Sequence, residues 1–146
     1  MPIKKEQILT FYRPDFESKI QIPLIKEGVS AGFPSPAADF MENSIDLNKA
    51  LTKNPLATFY IKVKGNSMVD AGISDQDVLV VDRSLEPQNN KIAICFIDGE
   101  FTVKRIQVEK DCLYLMPENA TYSPIKVTEE NQLVIWGIVT YVIKKV

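Results

Sequence analysis

The sequence predicts a mostly β, compact antiparallel fold with one or two short helices and an extended N-terminal arm. Three observations carry this. From Thr58 onward, short stretches of alternating or continuous apolar residues are separated by turn residues; Asp98-Gly99 sits between two of these stretches; and helical signals are confined to residues 37–55.

Residues 1 to about 36 read as an arm. Apolar positions are scattered, and the segment ends in Gly28-Val29-Ser30-Ala31-Gly32-Phe33-Pro34-Ser35-Pro36, whose prolines and glycines favour extended, accessible backbone. Helical signals follow in Ala37–Glu42 and in Asp46–Leu51, where Asp46 can cap and Asn54-Pro55 stops the run. Phe59, Ile61 and Val63 alternate with Tyr60, Lys62 and Lys64, which predicts a strand, and Val78–Val81 is a continuous apolar run. Ile92–Ile97 and Glu100–Ile106 flank Asp98-Gly99, a dipeptide suited to a type I′ turn because both central residues need positive φ. Leu113–Met116, ended by Pro117, and the long run Leu133–Ile143 complete the strands, with Gly137 expected to mark a bend or bulge. There is no internal repeat and no low-complexity tract.

The 146 residues are 45% hydrophobic and 25% charged, the composition of one ordinary globular domain. With 17 basic and 19 acidic side chains the net charge is −2, so no basic footprint points to nucleic acid or an anionic membrane. The chain has no histidine, which removes Ser-His-Asp and Cys-His nucleophile systems and imidazole metal sites. Its two cysteines, Cys95 and Cys112, lie in apolar runs and read as free thiols of a reducing compartment. No apolar stretch is long enough to cross a membrane and the first residues lack a signal-peptide core, so a cytoplasmic location is expected.

Without histidine, a lysine amine, a terminal amine or carboxylates must activate any nucleophile. If Asp98-Gly99 is the turn, paired residues have numbers summing to 197, which sets Ala93 opposite Lys104 and Cys95 opposite Thr102. Lys104 then shares a face with Thr102, Ile106 and Val108, while Arg105 points away. Burial there disfavours the ammonium form, and a neutral amine is a competent general base. The competing reading is a lysine snorkelling from an edge strand. Ser67, at the exit of a strand in Lys64-Gly65-Asn66-Ser67-Met68, is the candidate nucleophile, against the alternative of an ordinary turn hydroxyl. Ala31-Gly32 in the arm is a bond between small residues, the kind that fits a tight cleft.

These residues resemble the LexA/UmuD family of self-cleaving serine peptidases. The resemblance runs through Gly65-Asn66-Ser67-Met68, Asp70, Gly72-Ile73, Asp75, Asp77, Asp82 and Asp98-Gly99-Glu100-Phe101-Thr102-Val103-Lys104-Arg105, and reaches the arm at Ala31–Phe40 and Ile45–Asn48. A 31-residue arm is too short for the helix-turn-helix domain of a repressor, which favours the UmuD branch. By matching position, the resemblance implies Ser67 as nucleophile, Lys104 as general base and Ala31-Gly32 as the scissile bond. It further implies an arm over 1–31 removed by self-cleavage and a peptidase domain over 32–146. The implied setting is the SOS response: a cytoplasmic homodimer cleaved when a RecA nucleoprotein filament forms. The shortened form then joins a UmuC-type polymerase subunit in translesion synthesis. No cofactor, metal, membrane or sequence-specific DNA contact is implied. Two positions depart from the family pattern: Asn66 stands where aspartate is frequent, and Gln76 replaces a frequent glycine, at the cost of strain if φ there is positive. The alternatives are a non-catalytic protein-binding β-module and a hydrolase using Asp75, Asp77 or Asp82, the last weakened because aspartate is common in turns. A signal peptidase uses similar Ser-Lys chemistry but normally with a membrane anchor.

Overall fold

The computed structural model describes residues 8–17, 21–25 and 41–146. It contains two compact units, Met1–Pro14 with Asn54–Val146, and Asp15–Lys53. In the larger unit an antiparallel sheet has the order β1-β4-β5-β10-β6-β7-β8-β9. Its strands are β1 (Ile8–Tyr12), β4 (Thr58–Lys64), β5 (Val78–Asp82), β6 (Ile92–Ile97), β7 (Glu100–Val108), β8 (Leu113–Met116), β9 (Ile125–Val127) and β10 (Leu133–Ile143). The smaller unit pairs β2 (Gln21–Ile25) with β3 (Met41–Asp46) and carries α1 (Leu47–Leu51).

The mostly β antiparallel expectation holds, and so does the hairpin register. Ala93 lies opposite Lys104 and Cys95 opposite Thr102, and both turn residues have positive φ, 49° at Asp98 and 86° at Gly99. Asp46 caps α1 by accepting from the amide of Lys49, as read from the sequence. Gly137 marks an irregularity, because the β10–β6 register shifts between Ile135 and Gly137.

Two expectations are corrected. Met41 and Glu42, read as the end of a helix, belong to β3, where pairing with β2 outweighs local helix propensity; the rest of that stretch lies outside the described residues. The beginning of the arm, read as scattered apolar positions, is a strand as well. Ile8–Tyr12 forms an edge strand on β4, with alternating exposure that turns Leu9 and Phe11 inward. Five residues of alternating apolarity are easily mistaken for scatter, since the sheet edge that receives them lies some fifty residues further along the chain.

Two apolar clusters flank the sheet. Ile61, Val63, Met68, Ile73, Leu79, Val81, Ile94 and Val103 form one, and Ala93, Cys95, Ile97, Ile106, Leu115 and Ile138 the other. Successive residues of β6 divide between them, as the two-residue period of a strand requires. The sheet curls so that β1 meets β7, and Phe11 contacts Phe101 with ring centroids 4.9 Å apart.

Candidate active site

Ser67 follows directly from the end of β4. Gly65 there has φ of 117°, a conformation that favours glycine, and lets the chain leave the strand sharply. The Gly65 amide donates to Asp75 Oδ1 at 2.8 Å, and the Asp75 amide donates to Asn66 Oδ1 at 3.3 Å, so the two loops hold one another. That donation from Gly65, with a second from Gln76, holds the Asp75 carboxyl below the usual carboxylate range. Gln76, the substituted glycine position, does adopt a positive φ of 71°. A further clasp comes from the turn after β8. The Glu118 amide donates to the Ser67 carbonyl at 2.8 Å, the Asp70 amide donates to the Glu118 carbonyl at 2.7 Å, and Asn119 Nδ2 donates to the Asn66 carbonyl at 2.8 Å. Glu118 in turn accepts from Arg105 Nε at 2.5 Å.

Ser67 and Lys104 are both wholly buried, and they meet. Lys104 Nζ lies 3.3 Å from Ser67 Oγ, donates to Thr102 Oγ1 at 2.7 Å and contacts the Val103 carbonyl at 3.2 Å. The snorkelling alternative is thus excluded, since Lys104 has no exposed surface. Burial pushes the neighbouring Cys95 thiol up to about 12. The backbone amides of Ser67 and Met68, both in fully buried residues, donate to no acceptor among the described residues. Buried donors without partners are rare in folded proteins and concentrate where a ligand or reacting group completes them.

The three acids weighed as an alternative are otherwise engaged. Asp75 braces the serine loop, Asp77 accepts from the Ser74 amide and pairs with Lys144, and Asp82 accepts from Ser84 and Asn54. Burial alone would raise the Asp82 carboxyl, but its bonds from Ser84 and Asn54 prevail and hold it low. No cluster of three or more possible metal ligands occurs among the described residues, and no described helix is long and apolar enough to cross a membrane. Ala31 and Gly32 lie outside the described residues. Thr102 was legible only as a neighbour of Lys104 on its face, and nothing in Pro117-Glu118-Asn119 marked it as the clasp on Ser67.

The chain is similar to known proteins over most of its length. A family model described as Peptidase S24-like matches residues 23–140. Protein SamA of Salmonella typhimurium is 45% identical over 123 residues, covering 84% of this chain and 85% of SamA. Protein ImpA of Escherichia coli is 42% identical over 127 residues, covering 84% and 83%. A LexA repressor from Alcanivorax borkumensis is 38% identical over 118 residues, which cover 81% of this chain and 56% of the repressor.

Proposed function

Because the chain belongs to the Peptidase S24-like family, we propose that it is a self-cleaving serine peptidase of the SOS response that cuts its own Ala31-Gly32 bond with a Ser67-Lys104 dyad. The observation that carries the reading is the 3.3 Å contact between a wholly buried amine and a wholly buried serine. Burial disfavours an ammonium. Thr102 Oγ1 and the Val103 carbonyl accept from the amine, and a neutral amine carries a lone pair able to take the Ser67 proton.

In this mechanism Lys104 Nζ takes the Ser67 proton as Oγ attacks the Ala31 carbonyl carbon. The tetrahedral oxyanion is received by the amides of Ser67 and Met68, which donate to no acceptor among the described residues. Lys104 then returns the proton to the Gly32 nitrogen as the peptide bond breaks. Water, deprotonated by the same amine, hydrolyses the Ala31 acyl-enzyme and restores Ser67. Tethering supplies a high local concentration of the bond to be cut, so a slow enzyme suffices for one turnover.

By kinship with UmuD-like relatives, cleavage is stimulated by a RecA nucleoprotein filament in the cytoplasm. The shortened homodimer then serves a UmuC-type polymerase in translesion synthesis. The test is intact mass after incubation at about pH 7 and about pH 10, beside Ser67→Ala and Lys104→Ala. The expected product begins at Gly32, forms faster at the higher pH and is absent from both variants. An uncut chain under every condition, an active RecA filament with nucleotide included, would leave a non-catalytic binding module.

A further inference from the structure

Self-cleavage would sever Ile8–Tyr12 from the sheet it completes. In β1, Leu9 and Phe11 face inward against the core, and Phe11 meets Phe101 and Trp136 edge-on with ring centroids 4.9 Å away in each case. Phe59 also packs against Trp136, with ring centroids 5.0 Å apart, and the Arg13 guanidinium lies 4.9 Å above the Phe59 ring. Without β1, the outer edge of β4 presents unpaired N–H and C=O groups beside an aromatic patch of Phe59, Phe101 and Trp136. Phe101 is already 37% exposed with Phe11 in place. An open edge of that kind is a template for another strand.

The outward side of this edge carries charge. Ile8 stands opposite Lys64 and Thr10 opposite Lys62, both lysines exposed, and neither β1 residue offers them a carboxylate. Among the described residues, both lysines act on the Asp75 carboxyl, which is already engaged by the Gly65 amide. Among the described residues, the chain's own strand therefore satisfies the aromatic half of the site and brings no carboxylate to the two ammonium groups.

We propose that the outer edge of β4, with Phe59, Phe101 and Trp136, is a strand-addition site that β1 occupies until the arm is cut. It then takes an extended segment of a partner protein with an aromatic residue facing inward and carboxylates opposite Lys62 and Lys64. This inference rests on the self-cleavage reading above. While tethered, β1 competes at an effective concentration of about a millimolar; as a free fragment at micromolar protein it competes about a thousand-fold less well. The β2–β3 ribbon, which the same cut leaves on two separate chains, is a two-stranded pair of a kind that is marginal in water. Main-chain pairing supplies affinity at such edges and alternate side chains supply specificity.

Trp136 is the only tryptophan and reports on the site directly. The protein is incubated at about pH 10 until intact mass shows the arm cut, freed of the fragment by gel filtration, returned to about pH 7 and compared with uncleaved Ser67→Ala. Two dye-labelled peptides serve as probes, one with the sequence of positions 8–13 and one also carrying Ile8→Glu and Thr10→Glu. The Trp136 emission is expected to move to the red when the arm leaves and back on adding either peptide. Both peptides are expected to bind the cut form about 100-fold or more tighter than Ser67→Ala. The glutamate peptide should bind more tightly than the other, an advantage lost in about 0.5 M salt, and Phe11→Ala within the peptide should abolish binding. Equal binding to the cut and uncut forms, or unchanged emission with the arm gone, overturns the inference. If intact mass never changes, the cleavage reading fails instead. The site is then tested in Ser67→Ala carrying Leu9→Asp and Phe11→Asp, which release β1 without cutting the chain. Failure of that variant to bind the glutamate peptide overturns the docking site on its own.

Discussion

Replacing Gly137 by alanine tests how closely β10 and β5 approach. A Cβ at this position would lie 2.6 Å from Val81 Cγ1, 3.4 Å from Arg83 Cγ and 3.6 Å from the Asp82 carbonyl. Val81 is fully buried in the core cluster, and its side chain cannot swing into solvent to make room. The two strands must therefore part or Val81 must leave its rotamer, which in well-packed cores costs about 1–3 kcal/mol. At about 2–4 °C per kcal/mol for a chain of this size, a mid-range loss of about 2 kcal/mol lowers Tm by about 4–8 °C. Val81→Ala by itself removes buried methyl groups and also costs about 2 kcal/mol. In the double variant the alanine Cβ takes the space that Cγ1 vacates, so the combined loss falls short of the sum by about 1 kcal/mol or more. Thermal and urea melts of the four proteins measure this coupling. A Gly137→Ala protein that melts within about 1 °C of the parent, or two losses that simply add, would refute the close-approach argument. β10 lies between the strand pair that leads to Ser67 and the hairpin that carries Lys104, so Gly137→Ala is also expected to slow self-cleavage and Val81→Ala to restore part of it.

Two further outcomes follow from the titratable groups. The Asp82 carboxyl is held low in the folded chain, so the unfolded chain takes up its proton first on acidification. Its stabilisation is present above the ordinary carboxylate range and is lost as pH falls through it. Asp82→Asn is expected to cost about 1–3 kcal/mol at neutral pH and to flatten the acid side of the stability profile measured by urea melts at stepped pH; a parallel profile would contradict this. With the Cys95 thiol raised to about 12 by burial, and Cys112 partly exposed, brief alkylation of the native protein at neutral pH should add one group, at Cys112, by peptide mapping. Label at Cys95 in the folded chain would show that the core around Lys104 opens.

Much of the candidate site was legible in the residues. The turn at Asp98-Gly99 sets the register of its hairpin, and register alone places Lys104 opposite the small Ala93. The absence of histidine leaves the amine as the natural base, and a strand that ends at Gly65 exposes the reason for Ser67 to sit on a sharp turn. Less legible were the contacts between distant segments. Neither β9 nor the clasp of Glu118 and Asn119 on the serine loop has a local signature, because the Glu118 bonds are main-chain bonds that leave no mark on residue type and the Asn119 amide finds its partner in a distant loop. The same holds for Ile8–Tyr12, whose alternation is too short to read until β4 is there to receive it.

Local chemistry written in the sequence thus determined the β character, the hairpin with its register, the helix cap at Asp46 and the residue types able to act as nucleophile and base. Only tertiary structure decided that Ser67 and Lys104, 37 residues apart, are both buried and stand 3.3 Å from one another. That distance depends on the curl of the sheet and on clasps between loops, which are sums of many long-range contacts rather than a property of any segment.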